Sequence, residues 1–172
     1  MESILRKLEG GGDRRSIGRV SEVVAEALSK PALFDVLFEG MLNEDPILRM
    51  RCADAVEKIT AKHPEYLQPY KDRLIGEVAQ INQQEVRWHV AQMFSRLKLN
   101  GDDRKAVLEI LLGYLRDESK IVKTFSMQAL ADLAEGDVSL RPQVTDLLEE
   151  LIRTGSPAMK SRGRKLLGKL KP

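Results

Sequence analysis

The sequence predicts an all-α chain, about four two-helix repeats stacked into a superhelix (an α-solenoid) behind one N-terminal capping helix. Three observations predict it. First, Leu33, Tyr70, Val107 and Val144 lie 37 residues apart, as do Leu37, Leu74, Leu111 and Leu148, and Met41, Val78, Leu115 and Ile152. Within each stretch these positions fall at i, i+4 and i+8, which is one stripe of an α-helix. Second, a further set of ladders lies between them. Leu48, Val86, Val122 and Met159 align, as do Val56, Phe94, Leu130 and Leu167, and Ile59, Leu97, Leu133 and Leu170, with steps of 38, 36 and 37. Each repeat therefore holds two amphipathic helices, here called A and B. Third, no strand pattern of alternating apolar and polar residues is visible. One such unit cannot bury its own apolar stripe, whereas stacked units share a continuous core.

The elements follow in chain order. Residues 1–12 are a short N-terminal segment: 2–9 suit a short helix, and Gly10-Gly11-Gly12 reads as a flexible joint with disorder before it. Residues 13–172 form a single solenoid domain. Its first helix, 14–29, carries the stripe Ile17, Val20, Val24, Ala27 and Leu28, a B pattern without an A partner. The first repeat covers about 31–62. Pro31 precedes its A helix, and Asp45-Pro46 opens its B helix, a short polar N-cap followed by Pro at the first helical position. The second repeat covers 63–100, with Pro64 ahead of its A helix. In the third, 101–136, Asn100-Gly101-Asp102 breaks the chain before A, and Asp117 and Ser119 mark the start of B. In the fourth, 137–172, Gly136-Asp137 precedes A and Ser156-Pro157 opens B.

The B helices resemble a known family. Asp45-Pro46-x-Leu48-Arg49-x-x-Cys52-Ala53-x-Ala55-Val56-x-x-Ile59 is similar to the second helix of a HEAT repeat. Asp117-x-Ser119-x-x-Val122-Lys123, followed by Ala129-Leu130-x-x-Leu133, repeats the pattern with Lys for Arg. Glu85-Val86-Arg87 with Ala91 and Leu97 repeats it with Gln83 in place of the Asp, and Ser156, Met159, Lys160 and Leu167 form a degenerate last copy. The resemblance spans 31–172. It implies a right-handed α-α superhelix of HEAT-like, armadillo-type repeats whose B helices line a concave side. It also implies that Arg49, Arg87, Lys123 and Lys160 pair with a turn Asp of their own or a neighbouring repeat, Asp45 and Asp117 being the candidates. Such arrays serve mostly as surfaces for partners, and the fold by itself names no function.

Composition narrows the chemistry. The 172 residues are 42% hydrophobic and 31% charged, with a formal net charge of +2. One Cys excludes an internal disulfide framework and a Cys-rich zinc site, and two His leave little for a His-built metal centre. Cys52 takes a small core position and reads as an inert thiol. His63 reads as a loop or capping residue, and His89 has no metal-ligating neighbour at the right spacing. There is no Gly-rich phosphate loop, no G-x-S-x-G and no H-E-x-x-H. Asp102-Asp103 and Glu149-Glu150 are sequence neighbours, which point about 100° apart on a helix and do not converge. No enzyme activity, cofactor or metal is expected. No 18-residue apolar run suggests a membrane span. The opening stretch MESILRKLEGGG is interrupted by charges and is not a secretory signal, so a cytoplasmic location is expected.

Two surfaces compete for function. With Cys52 at the centre of the B stripe and about 100° per residue, Leu48, Ala55, Val56 and Ile59 fall on the buried side. Met50, Asp54 and Glu57 then point away, as do their equivalents Trp88, Gln92 and Ser95, and Thr124 and Gln128. By the resemblance these residues line a concave groove. The leading expectation is a non-enzymatic protein-interaction module or scaffold that binds another protein or a peptide segment there. Trp88 and Met50 would anchor it, and Gln92, Ser95 and Gln128 would bond its backbone. The bland alternative for Trp88, packing between adjacent B helices, stays open. The rival surface is electrostatic. Seven of the 28 basic residues and none of the 26 acidic ones follow Glu150. Lys160, Arg162, Arg164, Lys165 and Lys169, with help from Arg51, Arg87 and His89, would then bind nucleic acid. The pI near 8.7 and the lack of aromatics within the basic run argue against that reading. The degenerate last repeat favours a monomer.

Overall fold

Leucines at the centres of the ladders report the architecture. Leu37, Leu74 and Leu111 are fully buried and Leu148 is 1% exposed. The structure is a computed structural model that describes residues 3–9 and 16–171. Among these, the regular structure is entirely helical: α1 (Val20–Ser29), α2 (Leu33–Gly40), α3 (Pro46–Lys62), α4 (Lys71–Gly76), α5 (Gln84–Phe94), α6 (Gly101–Tyr114), α7 (Lys120–Gly136), α8 (Arg141–Thr154) and α9 (Pro157–Leu170), with four short 3₁₀ turns between them. The chain folds as two compact units, Met1–Lys98 and Leu99–Pro172.

The helix starts obey the local chemistry of the sequence. Asp45 accepts a hydrogen bond from Ile47 N at 3.0 Å, with Pro46 as the first helical residue of α3. Ser119 and Ser156 accept from Val122 N and Met159 N, each at 3.3 Å. Asn100 and Asp103 form a reciprocal capping box at the start of α6, at 2.8 and 3.1 Å. Each such cap contributes about 1 kcal/mol by satisfying an amide that the helix leaves without a partner.

In the first unit, α3 is the central element. It packs against α1, α2 and α5, and the Pro64–Tyr66 turn closes on it. Gly40 lets α2 approach closely, since a Cβ there would collide with Cys52 Sγ. The link from α2 to α4 is aromatic. Phe38 stacks on Tyr70 at 4.4 Å, and Phe34 meets Tyr70 and Tyr66 edge-on at 5.4 and 5.8 Å. The Tyr70 hydroxyl donates to Asp35 at 2.8 Å, and burial first, then that carboxylate, pushes the phenol up to about 12. Arg73 sits over Phe38 at 5.5 Å and pairs with Glu39.

The second unit is built on α7, which packs against α6, α8 and α9, while α8 and α9 form a hairpin. Gly163 on α9 allows close packing: a Cβ there would lie 2.7 Å from Ile152 Cγ1 of α8 and 3.3 Å from Met127 Cε of α7. Arg141 Nε donates to Ala134 O at 3.2 Å, satisfying a carbonyl at the end of α7.

Three sequence expectations are corrected. The A helix of the second repeat is not continuous: two 3₁₀ turns, the six-residue α4 and a third 3₁₀ turn replace it. Pro64 and Pro69 lack the amide donors that a continuous helix would require. The segment before the glycine triplet is packed rather than disordered, and it forms turns rather than a helix. Ile4 is 5% exposed and Leu8 is fully buried, Lys7 pairs with Glu26, and Arg51 Nη1 donates to Leu8 O at 2.7 Å. The first helix begins at Val20, not at 14, because Gly18 adopts φ 59, a left-handed conformation that breaks a helix. The glycine joint itself, Gly10 to Gly12, lies outside the described residues.

Candidate functional site

The site begins with two local facts about α3 and α5. A wheel drawn for one buried stripe gives Met50 and Asp54 an outward face, yet Met50 is 5% exposed and Asp54 8%. Helix α3 has neighbours on several sides, so its polar face is covered by α5 rather than by solvent. Met50, Asp54, Gln84, Glu85, Trp88 and His89, together with Ile17 from the approach to α1, line one pocket of about 490 Å³. Its apolar side is Ile17, Met50 and Trp88, and its polar side is Asp54, Glu85 and His89. Trp88 is half-buried, its ring edge-on to His89 at 5.9 Å.

The polar side is not balanced. Asp54 Oδ2 pairs with Lys58 Nζ at 2.6 Å, and Asp54 Oδ1 lies 3.6 Å from His89 Nε2. Glu85 is 4% exposed, and its Oε2 is buried without a hydrogen-bond partner. His89 is 9% exposed, and its Nδ1 is likewise buried without a partner. Burial lowers the His89 pKa below its ordinary value, and this outweighs the opposing pull of the Asp54 and Glu57 carboxylates. Near neutral pH the ring is therefore uncharged. The Asp54 carboxylate facing Nε2 favours the tautomer protonated there, leaving the Nδ1 lone pair as an acceptor. Glu85 is the second residue of α5, where the helix dipole favours a negative charge without supplying a donor to Oε2.

The other sequence-derived candidates distribute as follows. Glu57 is bound to Arg96: its Oε1 accepts from Nη2 at 2.8 Å, and its carbonyl accepts from Nη1 at 2.6 Å. Gln92 is half-buried and Ser95 is exposed at the end of α5. Thr124 and Gln128 belong to the second unit. Thr124 donates to Lys120 O within α7, and Gln128 bridges Asp132 and Arg162. The polyanion candidates divide too. Arg162 Nη1 donates to Gln128 at 2.9 Å and Lys160 is half-buried, while Arg164, Lys165 and Lys169 are exposed on α9. Arg51 is buried, which removes it from a surface contact, and His89 is turned into the pocket. Arg51 is 1% exposed and donates to the Ser16 and Leu8 carbonyls at 3.0 and 2.7 Å.

At Arg49 the expected partner of the basic ladder is corrected. Arg49 does not pair with Asp45, whose carboxylate caps α3. It donates through Nε to Gln83 Oε1 at 3.0 Å and through Nη1 to the Asn43 and Glu44 carbonyls. Gln83 is the residue that precedes α5, so Arg49 ties the start of α3 to the start of α5 through an amide. Cys52 is fully buried, and burial pushes its thiol up to about 12, so it is no nucleophile. Among the described residues no group of three or more His, Cys, Asp or Glu is placed to hold a metal ion, and no helix is long and apolar enough to cross a membrane.

Sequence reasoning does not single out Glu85. An acidic residue in the first turn of a helix reads as a dipole-favoured surface charge, and only the cover from neighbouring elements makes it a buried one. The comparisons add no relative: no family model, curated protein or solved structure matches the chain. The HEAT resemblance rests on the B-helix residues themselves.

Proposed function

We propose that the chain is a small HEAT-like module without catalytic activity, and that it binds a segment of a partner protein at the α3–α5 pocket. The observation that carries this reading is Trp88. The chain's only Trp is half-buried at a pocket whose other apolar walls are Met50 and Ile17. A large rigid aromatic beside an adaptable thioether is the composition of an interface anchor. The test is capture from nuclease-treated lysate with the intact chain and with Trp88→Ala, after thermal unfolding has shown both to be folded. A discrete partner that survives nuclease and disappears with Trp88→Ala supports the reading. Partners that vanish with nuclease, or that ignore Trp88→Ala, overturn it.

A second reading has its own observation. Arg164, Lys165 and Lys169 are exposed on α9, a helix without a single acidic residue. That face suits nucleic acid or another polyanion. It is weaker than the first reading because Arg162 is committed to Gln128, and Arg51 is buried.

A further inference from the structure

A buried carboxylate with an empty acceptor is costly, because it forgoes its hydration and gains no compensating bond. Glu85 is in that position. Its Oε2 has no partner, and Asp54 beside the same pocket already holds Lys58. The neutral His89 adds a second acceptor without a donor, its Nδ1. The pocket thus holds in its wall a carboxyl oxygen and a ring nitrogen that are both buried without a hydrogen-bond partner. Its remaining walls are an indole, a thioether and an isoleucine. An indole face attracts cations through its quadrupole, and Met50 and Ile17 suit an aliphatic stem.

We propose that the pocket lined by Ile17, Met50, Asp54, Glu85, Trp88 and His89 receives one cationic side chain, arginine or lysine, of the partner segment. The head group donates to Glu85, its charge lies against Trp88, and its methylenes pass over Met50 and Ile17. Arginine fits better than lysine, because a guanidinium offers several donors in one plane to two separate acceptors. A neutral amide would give Glu85 a weaker, uncharged donor, and an acidic ligand would bring a further acceptor to a site that lacks donors. At about 490 Å³ the space is of the size that holds a small ligand or one long side chain. The proposal rests on the reading of the chain as a protein-interaction module, and it adds the chemistry of the residue recognised.

Trp88 makes the test direct, since the chain's intrinsic indole emission comes from this residue alone. The full chain is titrated with N-acetyl-arginine amide, N-acetyl-lysine amide, N-acetyl-norleucine amide and spermidine, and Trp88 emission is followed. The same titrations use Glu85→Gln, an isosteric change that keeps the packing, with thermal unfolding as the control for folding. The expected result is a saturable response to the arginine amide in the millimolar range, weaker with lysine, absent with norleucine, and lost at least tenfold in Glu85→Gln. Equal responses to arginine and norleucine amides, or an undiminished response in Glu85→Gln, overturn the cationic pocket. A random peptide array separates the pocket from the module. Binding to peptides regardless of Arg or Lys keeps the interaction module and rejects the cationic pocket. Tight spermidine binding with no peptide bound at all overturns the partner-segment proposal, with a free amine as the pocket's ligand.

Discussion

Glu85 and Arg51 are both buried charges, and their surroundings predict opposite responses to neutralisation. Arg51 is satisfied by the Ser16 and Leu8 carbonyls and ties the 3–9 segment to α3. Replacing it by Met leaves those carbonyls buried without a donor, at about 1–3 kcal/mol for such a group. Arg51→Met should lower stability to urea by about 2–4 kcal/mol and expose the N-terminal segment to protease. An unchanged urea midpoint and cleavage pattern would show that the segment is held by Ile4 and Leu8 alone. Glu85 has no such partner at Oε2. Glu85→Gln should leave the melting temperature unchanged or raise it, by the equivalent of about 1 kcal/mol. A clear drop in melting temperature would mean that the carboxylate is structural rather than kept for a ligand. His89 gives a pH dependence. Its folded pKa lies below its unfolded value of 6.5, because burial disfavours the imidazolium. Above that value both states are neutral and the full stability is present. As pH falls below it, the unfolded chain gains the proton first, so stability is lost toward the lowered folded pKa. His89→Gln should flatten the fall in melting temperature between about pH 7 and 5 relative to the parent. An identical decline in both proteins would assign it to other groups.

At the scale of elements, packing distances decide what a glycine is for. In an open helix, Gly→Ala stabilises by about 0.5–1 kcal/mol through backbone entropy. A methyl group added at Gly168 on α9 would meet no atom within 4 Å, so Gly168→Ala should show that gain in urea unfolding. Gly163, earlier on the same helix, faces Ile152 and Met127, and the clash there should outweigh the entropic gain. Gly163→Ala should destabilise by about 1–2 kcal/mol. Equal effects at the two sites would mean that α8 and α9 do not approach so closely. The same distinction between local and tertiary causes explains how much of the fold is legible in the sequence. The ladders at Leu37, Leu74, Leu111 and Leu148, and the caps at Asp45, Asn100, Ser119 and Ser156, are local or periodic signals that one sequence carries in full. The break around α4 is harder to see, because Leu74 and Val78 keep the apolar ladder while Pro64 and Pro69 remove amide donors. The pocket is half legible. Periodicity puts Trp88 and Met50 on one face as neighbours, but a wheel with a single buried stripe assigns that face to solvent. Glu85 becomes buried only when other elements cover the start of α5, and no pattern within α5 encodes that cover.

At the scale of the whole molecule, charge is the property the fold does not absorb. The chain is close to neutral, at +2, yet seven of its basic residues and no acidic one follow Glu150. An α-helix gains solubility from a charged outer face and a favourable dipole from cations near its own C-terminus, as Lys169 is on α9. Those two effects require no ligand. A polyanion site would add a distinct signature, since each phosphate neutralised contributes about 0.9 to the slope of log affinity against log salt. Arg164, Lys165 and Lys169 are exposed and can be removed without disturbing the packing of α9, whereas Arg162 cannot, because it holds Gln128. If α9 binds nucleic acid, replacing Arg164, Lys165 and Lys169 together by Ala should lower that slope by up to about 3 in a fluorescence-anisotropy titration with a short duplex. Glu85→Gln should leave the titration unchanged, because it alters a pocket in the other compact unit. The proposal of a protein-binding module instead expects weak duplex binding in the parent and no difference in the triple variant, with the basic residues serving as a solvated face of α9. A steep salt slope that collapses in the triple variant would transfer the function from Trp88 to α9.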